Sequence, residues 1–269
     1  MSAPRALVTG ASSGFGAEFA RALRKRGYLL ALVARREDRL LALQKELGGG
    51  EAATVVACDL AAPGGPQGLL RELHERGLEV DLLVNNAGVG LTTPFLEQSS
   101  ERILGMIDLN VRAVVELTRG LLPPMIARGR GAVINVSSIA AFQPEPYMGV
   151  YAATKAFILS FTEALSHEIR GSGVRLQALC PGPTATEFLE VSETHSGLLV
   201  TRLPMLNAPQ VVEASLRGLD RSKLRVIPGL ANRFLPQLLR VSPVAFTRAV
   251  TAQLFKPKPV AATMPDRLP

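Results

Sequence analysis

Residues 5–16 read RALVTGASSGFG, an apolar run followed by glycines in the spacing G-x-x-x-G-x-G. A pattern of helical spacing begins within the same stretch and continues to residue 26. A strand, a glycine turn and a helix N-terminus in this order direct several backbone N–H groups and the positive end of the helix to one point. We therefore predict a strand–turn–helix unit with a pyrophosphate site. A plain glycine turn is the alternative for the motif taken alone.

Short apolar runs alternate with longer helical patterns along most of the chain, which is typical of repeated strand–helix units. Because the strand segments are almost wholly apolar, we expect helices on both faces of a parallel sheet. Right-handed crossovers then give an α/β fold, a Rossmann-type doubly wound parallel sheet in three α/β/α layers. The predicted strands are Arg5–Thr9, Tyr28–Ala34, Ala53–Cys58, Asp81–Val84, Gly131–Val136, Gly173–Leu179 and Leu224–Ile227. The predicted helices are Gly14–Arg26, Glu37–Leu47, Gly68–Arg76, Ile103–Arg128, Tyr151–Arg170 and Pro209–Leu219.

With 269 residues, of which 47% are hydrophobic and 20% charged, the chain has the composition of an ordinary globular protein. No apolar run approaches the roughly 18 residues of a membrane span, and no secretory signal precedes the first strand. Cys58 and Cys180 both end apolar runs, which favours two reduced core thiols over a disulfide or a metal site. These features predict a cytoplasmic protein without a bound metal.

The net charge of +7 arises from the C-terminal fifth of the chain. Residues 217–269 hold ten Lys and Arg against two acidic residues, whereas the charges of the preceding residues nearly balance. No nucleic-acid motif accompanies this basic region and Trp is absent, so we expect no nucleic-acid binding. We divide the chain into a Rossmann-fold catalytic domain, residues 1–228, and a C-terminal basic amphipathic extension and tail of the same domain, residues 229–269.

This C-terminal extension carries two apolar stripes at helical spacing, flanked by arginines and lysines. The interpretation that we favour is that the stripes cover the ligand pocket or a subunit interface while the charges stay solvated. The alternative is a peripheral contact with an anionic membrane or with an acidic acyl carrier. The apolar residues of the stripes are Phe234, Leu235, Leu238, Leu239, Val241, Val244, Phe246, Val250 and Leu254.

The second predicted strand ends in Ala34, Arg35 and Arg36. NAD-binding versions of this fold place an acidic residue there, which holds the ribose 2′-hydroxyl. An acid would repel a 2′-phosphate, whereas a guanidinium pairs with it bidentately. We therefore predict NADP(H) as the cofactor, with Arg35 as the main phosphate contact and Arg36 in support. Two solvated arginines at the start of a helix are the alternative.

Tyr151 and Lys155 lie four residues apart in a helical pattern, so their side chains share one face. A cation beside a phenol lowers the phenol pKa, which suits a general acid–base group. The pair alone is weak, because helices produce this spacing by chance. Two predicted strands, however, end in the polar segments Ser137–Ser138 and Asn85–Gly88, at the sheet edge where doubly wound folds bind ligands. Asn110 interrupts an apolar helical stretch, where a buried amide needs a hydrogen-bonding partner.

Together these motifs resemble those of the short-chain dehydrogenase/reductase family, over about residues 5–230. The resemblance implies a catalytic tetrad of Asn110, Ser138, Tyr151 and Lys155. It also implies that Asp59 contacts the adenine and that the segment after Pro181 passes the nicotinamide. The cofactor-binding residues implied in this way are Gly10, Ser12, Ser13, Gly14, Phe15, Gly16, Arg35, Arg36, Asp59, Leu60, Asn86, Ala87, Gly88, Tyr151, Lys155, Pro181, Gly182, Thr184 and Thr186.

The resemblance further implies an enzyme that transfers a hydride between NADP(H) and a ketone or secondary alcohol. In the reductive direction Tyr151 protonates the carbonyl oxygen and Ser138 polarises the carbonyl. Lys155 is expected to lower the Tyr151 pKa and to hold the nicotinamide ribose, and Asn110 to hold a water that links Lys155 to solvent. The alternative is a non-catalytic NADP(H)-binding sensor or scaffold with the same fold, which a complete tetrad disfavours.

Substrate choice is expected to depend on residues 139–150, residues 183–208 and the C-terminal extension. Residues 139–150 carry Phe, Tyr and Met side chains with little charge, and residues 183–208 carry Phe188 and several Leu. Both segments favour an apolar carbonyl such as a 3-oxoacyl, steroid-like or aromatic ketone. We predict that residues 183–208 form a lid, with His195 at its surface. The tail and the segments YAATKAF and PGPTATEF are loosely similar to the 3-oxoacyl-CoA reductase and 17β-hydroxysteroid dehydrogenase branch. By analogy with the family we expect a homo-oligomer, either a dimer or a tetramer.

Overall fold

Seven parallel strands form one sheet within residues 3–184 and 206–256, the part of the chain that the computed structural model describes. The strands are β1 (Arg5–Thr9), β2 (Leu29–Ala34), β3 (Ala53–Ala57), β4 (Leu82–Asn85), β5 (Gly131–Val136), β6 (Val174–Leu179) and β7 (Arg225–Val226). Their spatial order is β3-β2-β1-β4-β5-β6-β7. The order therefore reverses where β1 pairs with β4, and ligands of doubly wound folds bind at the carboxyl ends of the strands at such a point.

Helices cover both faces of this sheet. They are α1 (Gly14–Lys25), α2 (Glu37–Glu46), α3 (Gly65–Glu75), α4 (Ser100–Ile107), α5 (Ala113–Ala127), α6 (Gly149–Glu168), α7 (Ala208–Asp220), α8 (Leu230–Val241) and α9 (Val244–Phe255). Ala6 and Val8 of β1 pack in one buried cluster with apolar side chains of α1, α2 and α7. Leu7, on the opposite face, packs in a second cluster with side chains of α3 and α5. The alternation along β1 thus separates the two helical layers, as the period of a strand requires.

The local sequence explains where the long elements begin and which face they bury. Phe19 and Leu23 of α1 lie four residues apart and are both buried against the sheet, so they form one apolar face. Helix α7 begins with a capping box: the Asn207 side chain accepts from the N–H of Gln210 at 3.0 Å, and the Asn207 N–H donates to the Gln210 side chain at 3.1 Å. Such a box satisfies backbone groups that the helix itself leaves without partners.

The structure confirms the doubly wound sheet and its seven predicted strands, and it corrects two helices. The third helix begins at Gly65 rather than Gly68, because Pro66 is accommodated in the first turn, where its missing N–H costs nothing. The predicted helix Ile103–Arg128 is wrong as a single element. A π-helical turn at Asp108–Arg112 separates α4 from α5, and α4 starts at Ser100 because the Ser99 side chain caps it.

The C-terminal extension folds into α8 and α9 up to residue 255, and its last thirteen residues lie outside the described part of the chain. Among the helices that the structure describes, none is long and apolar enough to cross a membrane. Cys58 and Cys180 are both free thiols, Cys180 being buried. Both C-terminal helices run alongside the carboxyl edge of the sheet, where their side chains enter the functional site.

Candidate active site

A cavity of about 640 Å³ runs along the carboxyl edge of the sheet. Residues of the glycine turn, 10–15, line one end, and the arginine pair after β2 lies beside them. Ser138, Tyr151 and Lys155 line its middle, and side chains of α8 and α9 line the other end. The cavity therefore brings together the glycine turn and three of the four residues of the predicted tetrad.

The glycine turn leaves room for a ligand against its backbone. Gly10 and Gly14 have φ angles of +65° and +52°, in the left-handed region that side chains disfavour. A Cβ at Gly16 would collide with the carbonyl of Gly10. Ser13 is the N-cap residue of α1, but its side chain makes no capping hydrogen bond. The free N–H groups of the first turn therefore face the cavity region. This cradle fits the pyrophosphate of a dinucleotide.

The two arginines after β2 differ in their surroundings. Arg36 donates to the Ser12 hydroxyl at 3.1 Å and to the Ser13 hydroxyl at 3.0 Å, so it ties the glycine turn to the end of β2. Arg35 is exposed and lines the cavity. Asp59, which follows β3, is also exposed and lines the cavity, and its carboxylate accepts from the N–H of Ala61 at 2.9 Å. Leu60 beside it is buried.

Buried Thr9, at the end of β1, connects the glycine turn to the segment after β4. Its hydroxyl donates to the carbonyl of Val84 at 3.2 Å and accepts from the N–H groups of Asn86 and Ala87, both at 3.0 Å. The Asn86 side chain donates back to the Thr9 carbonyl at 2.9 Å. A Cβ at Gly88 would lie only 3.1 Å from Asn110 Oδ1. The predicted residues Asn86, Ala87 and Gly88 therefore lie at the switch point, against the cavity.

Helix α6 places Tyr151 and Lys155 on one buried face. Lys155 Nζ donates to the carbonyl of Val136 at 2.9 Å and lies 5.7 Å from the centroid of the Tyr151 ring. The Ser137 hydroxyl donates to the carbonyl of Lys155 at 2.7 Å, which fixes α6 against the end of β5. Ser138, the next residue, is hydrogen bonded through its side chain to the Tyr151 phenol. The prediction that Ser138, Tyr151 and Lys155 would lie together agrees with this geometry.

Burial shifts the pKa values of both titratable groups of this pair. Burial raises the pKa of Tyr151 above its ordinary value, while the hydrogen bond with Ser138 lowers it and the nearby Glu145 raises it further. Burial lowers the pKa of Lys155 to about 8. The largest of these contributions is desolvation of the phenol, which outweighs the hydrogen bond that favours the phenolate. That Lys155 lowers the Tyr151 pKa stays a prediction.

Asn110 lies in the π-helical turn and is almost fully buried, at 1% exposure. Its side-chain nitrogen donates to the carbonyl of Val89 at 2.9 Å and to the Thr154 hydroxyl at 3.1 Å, and its oxygen accepts from the N–H of Val89 at 3.0 Å. The amide thus joins the segment after β4 to α6, one residue before Lys155. π-Helical turns of this kind are frequent at functional sites.

The segment after β6, which was expected to pass the nicotinamide, lines the cavity within the described residues. Pro181, Gly182 and Thr184 line the cavity, and the Thr184 hydroxyl donates to the carbonyl of Gly182 at 3.0 Å. A Cβ at Gly182 would collide with the side chain of Asn232 on α8, so α8 packs tightly on this segment. Thr186, His195 and most of the predicted lid, residues 185–205, lie outside the described residues.

The C-terminal helices line the far end of the cavity with mainly apolar side chains. Thr251 of α9 is buried, and its hydroxyl lies within hydrogen-bond distance of the carbonyl of Pro144 at 3.1 Å, in the loop before α6. The same hydroxyl also reaches the carbonyls of Thr247 at 3.0 Å and Arg248 at 3.1 Å in its own helix. Phe255 packs against a small buried cluster that contains Tyr151. The apolar residues of the predicted stripes that reach the cavity are Leu238, Leu239, Phe246, Val250 and Leu254.

Sequence reasoning missed one functional group at this end, Glu145. The residue is 4% exposed, lines the cavity, and accepts a hydrogen bond from Gln143 at 3.2 Å. The sequence does not indicate this burial, because a charged residue in a Pro-rich loop is normally solvated. The sequence signal for its presence in the site is its position between Ser138 and Tyr151 in the chain.

Comparisons with known proteins identify the family. The chain matches the family described as short chain dehydrogenase over residues 4–196. Sulfoacetaldehyde reductase 2 from Chromohalobacter salexigens is 38% identical over 184 residues, which are 68% of this chain and 73% of that protein. A solved short-chain dehydrogenase from Sphingobium yanoikuyae in complex with NADPH has 33% identity and a TM-score of 0.79, covering 98% of this chain and 100% of its own.

A second solved structure, a short chain dehydrogenase/reductase from Burkholderia phymatum in complex with NAD, has 25% identity and a TM-score of 0.79, covering 92% of this chain and 96% of its own. Proteins of this fold thus hold either nicotinamide cofactor, so the choice between the two depends on the residues around the cavity. The matched family, the sheet order and the Ser138, Tyr151 and Lys155 geometry agree, and the chain is a member of the short-chain dehydrogenase/reductase family of oxidoreductases.

Proposed function

We propose that the protein is an NADP(H)-dependent oxidoreductase that interconverts an apolar ketone and the corresponding secondary alcohol. The observation that supports this most is a single cavity lined by the glycine turn, Ser138, Tyr151 and Lys155, in which the Ser138 and Tyr151 side chains are hydrogen bonded. A protein that only bound the cofactor would need neither of these two hydroxyl groups. Metal-ligating clusters of three or more His, Cys, Asp or Glu are absent from the described residues, and the proposal uses none.

Each member of the tetrad has a defined task in the reductive direction. The raised pKa of Tyr151 keeps its phenol protonated, which is the state that donates a proton to the carbonyl oxygen. Ser138 Oγ is oriented by the N–H of Ala140 at 3.1 Å, so its own proton is directed at the phenol or at the carbonyl oxygen beside it. When bound, the reduced nicotinamide supplies the hydride for the carbonyl carbon.

Lys155 and Asn110 support the proton transfer from Tyr151. With a pKa of about 8, Lys155 is mainly cationic at neutral pH, so it stabilises the phenolate that Tyr151 becomes after donating its proton. Its ammonium also lies within reach of a ribose held against Gly88. Asn110 fixes the segment after β4 to α6 and so keeps this ammonium at the cavity. A water held near Asn110 would resupply the proton.

The preference for NADP(H) rests on the charges after β2. Arg35 lines the cavity and is exposed, so it is placed to meet a 2′-phosphate, and Arg36 holds the two serines of the glycine turn. No acidic residue stands at the end of β2 to receive a ribose 2′-hydroxyl. The Sphingobium yanoikuyae relative in complex with NADPH has the same overall fold.

The substrate class follows from the far end of the cavity. Leu238, Phe246 and Val250 surround the space beyond Tyr151, and an apolar wall favours a ketone with a sizeable apolar substituent, such as a 3-oxoacyl, steroid-like or aromatic ketone. Because α8 and α9 line the cavity, we assign the apolar stripes of the C-terminal extension to pocket formation rather than to a membrane or an acyl carrier. A homo-oligomer and a cytoplasmic location remain predictions.

The decisive experiment measures loss of NADPH absorbance with a panel of 3-oxoacyl thioesters, steroid ketones, aromatic ketones and short polar aldehydes. We expect turnover with at least one apolar ketone and a preference for NADPH over NADH. The sensor or scaffold alternative would instead be supported if the protein binds NADPH but neither reduces any carbonyl nor oxidises any alcohol with NADP⁺.

A further inference from the structure

Glu145 is a buried acid inside the cavity that the mechanism above does not use. It lies in the loop between the 3₁₀ turn Ile139–Phe142 and α6, it is 4% exposed, and it lines the cavity together with Ser138 and Tyr151. Its charge is close enough to Tyr151 to raise the pKa of the phenol. The carboxyl therefore belongs to the same cavity as the Ser138 and Tyr151 hydroxyl groups.

The loop around Glu145 is held in place from three sides. Tyr147 has a φ of +68°, a conformation that a bulky residue adopts only where the surroundings impose it. The N–H of Met148 donates to the carbonyl of Glu145 at 3.1 Å, and Thr251 of α9 donates to the carbonyl of Pro144 at 3.1 Å. The carboxyl is thus presented by a fixed backbone and not by a mobile loop tip.

The hydrogen bonds of this carboxyl are incomplete within the described residues. Gln143 donates to Oε1 at 3.2 Å, whereas Oε2 accepts no hydrogen bond there. No cation of the described residues is paired with it either. Burial accordingly raises the pKa of Glu145 to about 7. A buried carboxyl is costly unless its oxygens find donors, so this one has capacity for a donor that enters the cavity.

We propose that Glu145 is the specificity-determining residue of the cavity and that it accepts a hydrogen bond from a hydroxyl or ammonium group that the substrate carries one or two carbons from its carbonyl. This inference rests on the proposed function, since it concerns the ketone bound beside Tyr151. The apolar walls hold the rest of the substrate, and the Glu145 carboxyl selects which face and which carbonyl is presented. We propose a short separation because Glu145, Ser138 and Tyr151 line the same cavity.

A matched set of aromatic ketones tests the inference on the full-length protein with NADPH. Acetophenone and propiophenone lack a donor, α-hydroxyacetophenone and β-hydroxypropiophenone carry a hydroxyl, α-aminoacetophenone carries an ammonium, and methyl benzoylformate carries only acceptors. The kcat/KM of each is measured for the wild type, Glu145→Leu, Glu145→Gln and the control Glu101→Gln, which changes an exposed carboxylate of α4. Dividing the variant ratios by the wild-type ratios cancels the intrinsic reactivity of each ketone.

We expect Glu145→Leu to reduce the preference for the donor-bearing ketones about ten- to a hundredfold, while the donor-free ketones keep or gain turnover. Glu145→Gln should retain the preference for a hydroxyl, which an amide oxygen still accepts, and lose the preference for an ammonium. NADPH affinity, measured by fluorescence titration, should be unchanged in both variants, which shows that they fold. Glu101→Gln should behave as the wild type.

The outcomes separate this inference from the proposed function. Suppose that the wild type reduces both acetophenone and its donor-bearing analogues while Glu145→Leu leaves the ratio of their kcat/KM values unchanged. In that case the proposed function stands and the role of Glu145 is overturned. A wild-type preference for methyl benzoylformate that disappears in Glu145→Leu would also overturn it, because the acid would then be acting as a donor. If the wild type reduces none of these ketones and no other carbonyl, the proposed function itself fails.

Discussion

The glycine turn at one end of the cavity and residues 143–148 at the other differ in what holds them in place. The turn is held by glycine angles that side chains disfavour, by the Arg36 hydrogen bonds to Ser12 and Ser13, and by the Asn86 side chain, which donates to the carbonyl of Thr9 just before the turn. The 143–148 loop has its own backbone hydrogen bond from Met148 to Glu145, and it is reached by a hydroxyl from α9, more than a hundred residues later in the chain. The charged groups differ as well. Arg35 and Asp59 are exposed, whereas Lys155 and Glu145 are buried.

This difference indicates that the two ends control different quantities. Changes at the glycine turn should alter which cofactor binds and how tightly, because backbone and exposed cations meet the phosphates there. Changes at the substrate end should alter turnover, specificity and the pH dependence of stability, because buried groups with shifted pKa values lie there. Substitutions at each end therefore test whether this division holds.

The largest effect is expected at Tyr151, where the two ends meet. Tyr151→Phe removes the proton donor, so kcat should fall by about 10²–10⁴. The ring remains packed with Leu91 and Met148, so the dissociation constant for NADPH should stay within about twofold, which fluorescence titration measures. Turnover within tenfold of the wild type would show that another group supplies the proton and would contradict the mechanism.

The cofactor end should respond differently to its two arginines. Arg35→Ala should lower the preference for NADPH over NADH about ten- to a hundredfold, since it removes a charged contact to the 2′-phosphate alone. Arg36→Ala should weaken both cofactors, because Ser12 and Ser13 lose the guanidinium that holds them. The ratio of kcat/KM values for the two cofactors measures each effect.

Arg39→Ala is the matched control for these arginine variants, because Arg39 is exposed on the neighbouring α2 and does not line the cavity. It should leave the ratio unchanged. If the preference for NADPH over NADH changes in Arg36→Ala but not in Arg35→Ala, then Arg36 rather than Arg35 is the main contact of the 2′-phosphate. No change in either would remove the reason for expecting NADP(H).

The local parts of this architecture could be predicted from the sequence, and the parts that depend on distant contacts could not. Apolar runs gave the strands, because a strand buried on both faces has little freedom in composition. The glycine turn and the Tyr151–Lys155 pair are patterns within a few residues. The π-helical turn, in contrast, accompanies hydrogen bonds from Asn110 to Val89 and Thr154, which lie far apart in the chain.

The same reason explains why Glu145 and the pKa of Tyr151 were not foreseen. Burial of Glu145 arises where its loop packs under α9, and no pattern in residues 139–150 shows that contact. The pairing of Tyr151 with Lys155 was correct, but the sign of the pKa shift depends on how completely the phenol is desolvated. Sequence spacing gives neighbours on a helix face, whereas desolvation depends on the whole fold.

A smaller effect should appear in the pH dependence of stability. The folded-state pKa of Glu145 is raised from 4.5 to about 7. Between these values the folded protein binds more protons than the unfolded chain, so this residue lowers the free energy of unfolding as the pH rises through that window, and the penalty persists above it. Glu145→Gln should therefore gain stability over the wild type, on the order of 1–3 kcal/mol at about pH 8, and little at about pH 5.

Urea unfolding of both proteins at the two pH values measures that difference, with Glu101→Gln as the control for loss of a carboxylate. The control should differ from the wild type by a constant amount. A constant difference for Glu145→Gln as well would show that folding does not change the ionisation of Glu145, and would contradict the raised pKa of this carboxyl.

The smallest effect is expected at Thr251, which links α9 to the substrate-end loop. Thr251→Val keeps the size of the side chain but removes the hydroxyl that donates to the carbonyl of Pro144. We expect KM for donor-bearing ketones to rise about two- to tenfold, with NADPH affinity unchanged. Thr247→Val is the matched control, because Thr247 is also buried in α9 but its hydroxyl donates to the carbonyl of Pro243 at 3.4 Å, just before the helix. The Thr251 hydroxyl, in contrast, reaches Pro144 in addition to carbonyls of its own helix. Equal effects of the two substitutions would mean that α9 acts on the substrate end only through general packing and not through the contact between Thr251 and the 143–148 loop.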